Sequence, residues 1–300
     1  MADGSKIEWT DATWNPITGC AVVSPGCTNC YAMKLAGTRL KHHPSRIGLT
    51  RDTKAGPVWT GEVRFNPDWL DQPLRWKKPR MIFVCAHGDL FADGVKDQWL
   101  YQIFTVMALA PQHTFQVLTK RPERMRQYLL EMQRCYENDT TEFSARWGAA
   151  AAEVSGSPCA AGAIEDRDFP LPNVWLGVSA EDQKRAEERI PVLIDIPAVV
   201  SWISAEPLLG EMNVTPWLDR LQWIVAGGES GDGARPMQPE WARSLRDQCS
   251  AAGVPFLFKQ WGNHRVCSDA NGPYMLRVPK AEAGRLLDGI EHNEFPQVRP

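Results

Sequence analysis

The sequence lacks the features that would place it in or across a membrane. Its 300 residues contain no uninterrupted run of about 20 apolar side chains, which is the length that a membrane-spanning helix requires. Residues 1–6 do not supply the apolar core of a secretory signal. We therefore expect a cytoplasmic protein that has no membrane partner.

An excess of charge of one sign is also missing. The chain has 33 Lys and Arg against 36 Asp and Glu, a net charge of −3, which argues against an abundant non-specific nucleic-acid coat protein but leaves a local basic groove open. Cations and tryptophans that would suit such a groove stand close together in the sequence: Trp69, Arg75, Trp76, Lys77, Lys78 and Arg80. Charge and stacking surfaces of this kind suit single-stranded or flipped-out nucleotides at the mouth of the fold.

No composition shift marks a second domain, and 43% hydrophobic residues are enough for one large core. We therefore expect a single domain over residues 1–300. Residues 135–170 are rich in Ala, Gly, Ser and acidic side chains, which predicts a mobile surface insertion. Residues 263–300 form a C-terminal extension, in which 274–278 and 286–289 are candidates for a terminal hairpin.

The chain does have a dense group of cysteines. Cys20, Cys27 and Cys30 fall within eleven positions, in a loop punctuated by Pro25 and Gly26. In a reducing compartment thiols are more often ligands or buried groups than disulfides, and three thiolates suit a [4Fe–4S] cluster with one open iron or a zinc site that takes a fourth ligand. His42 and His43 are candidates for that fourth ligand. The remaining cysteines are expected to be small buried residues: Cys85, Cys135, Cys159, Cys249 and Cys267.

Apolar runs alternate with helical patterns along most of the chain. The strand candidates are 7–18, 81–85, 114–118, 174–178, 199–203, 221–225 and 254–258. Strands that alternate with helices form a parallel sheet through right-handed crossovers. The fold class is therefore α/β, a TIM-barrel-like parallel (β/α) barrel with loop insertions, either complete or incomplete.

Polar or glycine residues follow each of these strands. They are Asp89, Lys120, Arg121, Ser179, Ser204, Glu206, Gly227, Gly228, Glu229, Lys259, Gln260 and Trp261. Barrel enzymes assemble their sites at the carboxyl ends of the strands, and the cysteine loop follows the first strand. This coincidence favours a catalytic centre over a structural metal site. Lys120, Arg121 and Lys259 further suggest an anionic substrate.

Several blocks of sequence carry a family resemblance. They are the cysteine loop, Trp9-Thr10-Asp11, Thr13-Trp14-Asn15-Pro16, Leu118-Thr119-Lys120-Arg121-Pro122, Asn173-Val174-Trp175-Leu176-Gly177-Val178-Ser179, Ser204-Ala205-Glu206-Pro207-Leu208-Leu209-Gly210, Gly227-Gly228-Glu229-Ser230-Gly231 and Phe258-Lys259-Gln260-Trp261-Gly262. Through them the chain resembles a phage- and bacterium-associated family of unknown function with a three-cysteine motif. Members of that family look like relatives of the radical S-adenosylmethionine (SAM) enzymes.

The resemblance implies an incomplete barrel of six or seven strands and a radical enzyme. Cys20, Cys27 and Cys30 would hold a [4Fe–4S] cluster that binds SAM, reduced by a partner such as flavodoxin or ferredoxin, to generate a 5′-deoxyadenosyl radical. The substrate would be a nucleic acid or a nucleotide, in repair or base modification. The candidate SAM-binding residues are Ser179, Ser204, Gly227, Gly228 and Glu229; the candidate catalytic residues are Lys120, Glu206 and Lys259; the candidate substrate contacts are Asp89, Arg121, Gln260 and Trp261.

Two other functions remain open on the sequence. Glu206 and Glu229 could serve as the acid and base of a metal-free barrel hydrolase, although the cysteines would then have no role. Alternatively, the three cysteines and one histidine could hold a structural zinc ion in a non-catalytic binding protein. That protein would not need a row of polar residues at the strand ends.

Overall fold

A computed structural model describes residues 4–138, 140–157, 162, 167–270 and 272–297. Its centre is a curled sheet of seven parallel strands in the order β1-β6-β7-β8-β9-β10-β11, an incomplete parallel barrel, as predicted. The strands of this sheet are β1 (Ala12–Trp14), β6 (Met81–Val84), β7 (Thr114–Thr119), β8 (Val174–Ser179), β9 (Val200–Ala205), β10 (Trp223–Gly227) and β11 (Phe256–Gln260). Three two-stranded sheets pair β2 (Ile17–Thr18) with β5 (Arg64–Phe65), β3 (Thr50–Thr53) with β4 (Gly56–Trp59), and β12 (His264–Asp269) with β13 (Gly272–Arg277).

Helices connect the parallel strands. The α-helices of the described residues are α1 (Tyr31–Gly37), α2 (Gln72–Arg75), α3 (Asp97–Leu109), α4 (Pro122–Asn138), α5 (Thr140–Ser155), α6 (Gln183–Ile194), α7 (Pro239–Ala252) and α8 (Lys280–Ala283). Short 3₁₀ helices cover Pro25–Cys27, Pro67–Trp69 and Thr215–Arg220. No helix among the described residues is both long and apolar enough to cross a membrane.

The central strands are apolar throughout because both faces of the sheet are covered. Every residue of β8, β9 and β10 is buried, the pattern expected of a parallel sheet. One face packs against the helices in the larger apolar cluster. The concave face carries a second cluster built around Trp9, Trp175, Trp202 and Trp223, in which the ring centroids of Trp202 and Trp223 are 5.2 Å apart.

Side chains alternate along each strand, and this alternation places the polar residues. Trp175 and Ser179 lie on the same face of β8 because successive side chains point to opposite faces. Gly177 stands between them, and a Cβ there would clash with the indole of Trp202. The concave face therefore has a tryptophan layer below and a polar layer at the carboxyl ends of the strands.

The segment predicted to be a mobile surface insertion is largely helical where the structure describes it. α4 extends to Asn138, and α5 covers Thr140–Ser155 with Phe143 and Trp147 buried. The indole N–H of Trp147 donates to the sulfur of Met132 at 3.5 Å. The described part of the insertion is thus a packed helix, because its alanines favour a helix and let it pack closely; its mobility stays a prediction. Residues 158–161, which include Cys159, lie outside the described residues.

Two other predictions are corrected by the order of the elements. The C-terminal hairpin pairs β13 with the largely polar β12, whereas 286–289 forms no strand and buries Leu287 in the core. The basic stretch 75–80 directly precedes β6, and the carbonyl of Arg80 accepts from Thr114 at the start of β7 at 2.9 Å. That stretch therefore lies at the amino end of the sheet, away from the mouth. Cys85, Cys135 and Cys249 are buried as expected, and Cys267 is half-buried.

Candidate active site at the carboxyl edge of the sheet

A cavity of about 230 Å³ opens at the carboxyl ends of the parallel strands. Twelve of the fifteen candidate site residues line it: Cys20, Cys27, Cys30, Asp89, Lys120, Ser179, Ser204, Glu206, Gly228, Glu229, Lys259 and Gln260. The parallel topology brings these residues together because every strand of the sheet ends at the same edge. Arg121, Gly227 and Trp261 do not line the cavity.

The cysteine loop is fixed at its start by the neighbouring strand end. The amide of Gly19 donates to the carbonyl of His87 at 3.2 Å, and a Cβ on Gly19, whose φ is 93°, would clash with the backbone of Glu62. Cys27 ends a 3₁₀ turn, and Cys30 immediately precedes α1. The three thiols are thus delivered by a loop of defined shape.

A buried ion pair between Asp89 and Arg121 holds the first part of this loop. Their closest N–O distance is 3.0 Å, and both side chains are more than nine-tenths buried. Arg121 also donates to the sulfur of Cys20 at 3.5 Å and to the carbonyl of Ala21 at 3.4 Å. The Asp89 carboxylate accepts further bonds from the Thr119 hydroxyl and from the amide of Lys120.

A second buried ion pair holds the middle of the loop. Glu181 has no exposed side-chain surface and pairs with Arg189 at 3.0 Å. Its other carboxylate oxygen accepts from the amide of Gly26 at 3.0 Å. Burial alone would raise the pKa of Glu181, but the hydrogen bond from Ser24 and the charges of Lys120 and Arg189 lower it below its ordinary value.

A third ion pair, between Glu229 and Arg235, holds the end of the loop. The Glu229 carboxylate accepts from the backbone amide and the guanidinium of Arg235 and, at 2.9 Å, from the amide of Asn29. Arg235 also donates to the carbonyl of Pro25 at 3.0 Å. Burial would raise the pKa of Glu229, but these hydrogen bonds outweigh it and lower the pKa. The carboxylate is therefore ionised at neutral pH.

These contacts make Asp89, Arg121 and Glu229 supports of the cysteine loop. Arg121 does not line the cavity, and Glu229 already accepts several N–H groups, so a ligand ammonium would have to compete with Arg235. Sequence reasoning missed the other supports, Glu181 among them. Glu181 follows β8 at the same edge, which was a usable signal, whereas the sequence gives no sign that Arg235 folds back onto this loop.

The cysteines themselves line one cavity but are not arranged as a closed metal site. Among the described residues no group of three or more His, Cys, Asp or Glu side chains is placed so that it could hold a metal ion. Burial and the nearby Asp89 carboxylate raise the pKa of Cys20 to about 12, an effect that Arg121 partly offsets. Neither His42 nor His43 lines the cavity. Three thiols on one loop are the donor set of a three-thiolate centre, but they are not placed to form one among the described residues, and the metal role of the cysteines stays a prediction.

Other polar groups remain for a ligand in the cavity. Lys259 pairs with Glu206 at 2.9 Å, and the hydroxyl of Ser204 lies 3.4 Å from the same carboxylate. Within the described part of the chain, Lys120 forms no ion pair with an acidic side chain, and Oε1 of the buried Gln260 has no hydrogen-bond partner. A buried acceptor without a partner is costly. Gln260 is therefore suited to meet a ligand donor.

The floor of the cavity is apolar. Trp9, Phe83 and Leu118 line it from the concave face of the sheet, and the ring centroids of Trp9 and Phe83 are 4.7 Å apart. The indole N–H of Trp9 has no partner among the described residues. A cavity with an aromatic floor and polar sides suits a ligand that has a flat apolar part and polar substituents.

The glycine pair at the end of β10, Gly227 and Gly228, is explained by close packing. A Cβ on Gly227 would lie 2.6 Å from Oε1 of Glu206, and a Cβ on Gly228 would clash with the carbonyl of Trp261. Trp261 itself packs on Phe258 behind the cavity, and its indole N–H donates to the carbonyl of Leu286 at 2.9 Å. Trp261 is therefore used in packing, and its predicted contact with a substrate stays a prediction. Gly228 lines the cavity, whereas Gly227 makes room for Glu206.

Comparison with known proteins gives a family but no characterised relative. A search of curated proteins and a search of solved structures each found no match. Residues 4–296 match a family described as a protein of unknown function, DUF5131. Since that match covers nearly the whole chain, the protein belongs to the DUF5131 family.

Proposed function

We propose that this protein is a radical SAM-type enzyme that acts on a nucleic acid or a nucleotide. One observation carries the proposal: three cysteines of a single loop line the cavity at the carboxyl edge of an incomplete parallel barrel. Three ion pairs support that loop, and two of them are buried. A structural zinc site at the surface would not need ion pairs from residues at the ends of several central strands.

In this proposal Cys20, Cys27 and Cys30 are the ligands of a [4Fe–4S] cluster. Such a cluster, once reduced by a flavodoxin- or ferredoxin-like donor, supplies the electron that cleaves SAM into methionine and a 5′-deoxyadenosyl radical. The protein supplies binding and orientation. Arg121 donates to the sulfur of Cys20, and a cation next to a ligand sulfur stabilises its negative charge.

The remaining polar groups of the cavity are assigned to SAM and the substrate. Ser179, Ser204 and Gly228 line the cavity, and we assign the two hydroxyls and the carbonyl of Gly228 to hydrogen bonds with SAM. Lys120 and the ion pair of Lys259 with Glu206 are the groups that would contact an anionic substrate or transfer protons near it. We assign Glu229 to supporting the loop rather than to the methionine ammonium of SAM.

The two alternatives are less well supported. A hydrolase that uses Glu206 and Glu229 needs one carboxyl group to hold a proton and a free carboxylate as its partner. Glu206 is paired with Lys259, and the oxygens of Glu229 are engaged by Arg235 and Asn29. The predicted structural zinc site takes a histidine as its fourth ligand, and among the described residues no histidine lines the cavity.

Anaerobic reconstitution with iron and sulfide tests the proposal. We expect about four irons per chain and absorbance near 400 nm, and the dithionite-reduced protein should release 5′-deoxyadenosine from SAM. The Cys20→Ala, Cys27→Ala and Cys30→Ala variants should lose both properties. Cys267→Ser is the matched control because that thiol lies on β12, away from the cavity, and it should retain them. A colourless protein with bound zinc, or a loaded cluster with no SAM cleavage, would contradict the proposal.

A further inference from the structure

The segment 31–64, which we name the basic cap, has a charge opposite to that of the rest of the protein. It contains seven Lys and Arg and two Asp and Glu, a net charge of +5. The other 266 residues have 26 Lys and Arg against 34 Asp and Glu, a net charge of −8. The overall charge of −3 is therefore the sum of a strongly basic segment and an acidic remainder.

The basic cap is a folded unit beside the cavity. α1 packs on the β3–β4 hairpin through a small apolar cluster of its own, which includes Met33, Leu49 and Trp59. A Cβ on Gly37 would clash with Pro57, so the helix and the hairpin are in close contact. Tyr31, Ala32 and Trp59 also line the cavity. The cap thus forms one side of the cavity mouth.

Some cations of the basic cap are used within the fold. Lys41 pairs with Asp52 at 2.6 Å, and Arg64 donates to the carbonyls of Pro44 and Ile47. Arg46 is buried, with its guanidinium 2.6 Å from Nδ1 of His87. These cations are not available to a partner.

Arg39, Arg51 and Lys54 differ from those cations because they are exposed. In the part of the chain that the structure describes, none of the three forms an ion pair. Tyr31 begins the same cap and lines the cavity. Its ring is 51% exposed, and its hydroxyl is fixed by the carbonyl of Ala86. Exposed cations and a fixed aromatic ring on one folded unit are the combination that binds single-stranded nucleic acid, since the cations meet phosphates and the ring stacks on a base.

We propose that the basic cap is the docking surface for a single-stranded polynucleotide, whose phosphates contact Arg39, Arg51 and Lys54 and whose base stacks on Tyr31 at the cavity mouth. The inference deepens the proposed function by naming the polymer and its binding surface. An acidic membrane surface fits less well because it would leave the aromatic ring at the cavity mouth unexplained.

Fluorescence anisotropy with a labelled 20-nucleotide single strand tests the inference on the full metal-free chain. The variant Arg39→Ala/Arg51→Ala/Lys54→Ala should bind roughly tenfold more weakly at low salt. Its association constant should also depend less on salt: the magnitude of the slope of log K against log salt should decrease by about 2. The control is Arg75→Ala/Lys77→Ala/Lys78→Ala, which removes the same charge from exposed positions at the amino end of the sheet. It should bind like the unaltered protein.

Tyr31→Leu separates stacking from charge. It should weaken binding by roughly fivefold or more, because base stacking contributes about 1–3 kcal/mol, and it should leave the salt slope unchanged. Three results would overturn the inference. The triple variant of the basic cap could bind as well as the unaltered protein, or it could be weakened no more than its control. The protein could also bind vesicles of anionic lipid more tightly than the oligonucleotide. Because the assay needs neither cluster nor SAM, its failure is distinguishable from a failure to cleave SAM.

Discussion

The guanidinium of Arg121 lies 3.5 Å from the sulfur of Cys20, although 101 residues separate them along the chain. The same guanidinium is paired with the buried carboxylate of Asp89. A residue that sequence reasoning assigns to the substrate therefore connects a strand end to a thiol. The position of the cysteine loop therefore depends on the folding of the sheet.

Replacing Arg121 should therefore destabilise the fold. Arg121→Met leaves the Asp89 carboxylate buried without its cation, which costs about 3–5 kcal/mol in comparable cases. We expect the lower end of that range because Thr119 and two backbone amides still donate to Asp89. Lys120→Met is the control and should change the free energy of unfolding by less than about 1 kcal/mol. Urea unfolding measures both, and equal losses would place Lys120 in a structural ion pair.

Glu229 and Arg235 should behave as one unit. If Glu229 supports the loop, Glu229→Gln and Arg235→Met should both lower the iron retained after reconstitution and gel filtration. The affinity of the remaining holoprotein for SAM should change less than about threefold, because no bond to SAM is lost. If Glu229 instead binds the methionine ammonium, Glu229→Gln alone would weaken SAM binding roughly ten- to a hundredfold.

His87 should give the protein a pH-dependent stability. Burial and the charge of Arg46 lower its pKa from 6.5 to about 4, so the folded state disfavours the protonated ring. Its stabilising contribution is complete above pH 6.5 and is lost as the pH falls towards 4, with a slope of at most about 1.4 kcal/mol per pH unit. His87→Asn retains an acceptor for Arg46 but does not titrate.

The free energy of unfolding, measured at intervals from pH 4.5 to 7.5, tests this expectation. The unaltered protein should lose stability relative to His87→Asn between pH 6.5 and 4.5. This window lies at or above the ordinary value of 4.5 for Glu181 and Glu229, whose lowered pKa values cost stability only at lower pH. Parallel curves for the two proteins would show that His87 titrates normally.

Gly228 should not tolerate a side chain. A Cβ there would clash with the backbone carbonyl of Trp261, whereas a Cβ on Gly210 would lie 3.6 Å from its nearest neighbour, an ordinary contact. We expect Gly228→Ala to lower the free energy of unfolding by about 1–3 kcal/mol and Gly210→Ala to change it by less than about 0.5 kcal/mol. Thermal melting of both variants provides the comparison. If Gly228→Ala melts normally and loses only SAM binding, the glycine serves the ligand rather than the packing.

The fold was predictable where one physical pattern dominates. β8 and β9 are continuous apolar runs, as a sheet covered on both faces demands, and the parallel topology then placed Ser179, Ser204 and the cysteine loop at one edge. The amino-acid composition did not predict helix α5, because alanine is common both in packed helices and in flexible segments. It also failed for β12, whose polar residues show no strand pattern.

The location of the site was predictable, but the pairing of its side chains was not. A polar residue at a strand end lies near the cavity, but its partner depends on loops whose paths leave no periodic signal. Arg235 illustrates this limit, since it reaches Glu229 and Pro25 only because the loop after β10 turns back. The contacts of Arg121 and Glu229 with the cysteine loop could therefore not be predicted from the sequence.

The three supports of the cysteine loop also fix when the site can form. The loop is bonded to residues 100, 155 and 200 positions further along the chain. Contacts between residues so far apart form late, because a long loop must close before they contribute. During synthesis the cysteines leave the ribosome well before Glu181 and Glu229, and chains are made at about 5–20 residues per second. Any metal centre held by this loop should consequently be inserted after the barrel has folded.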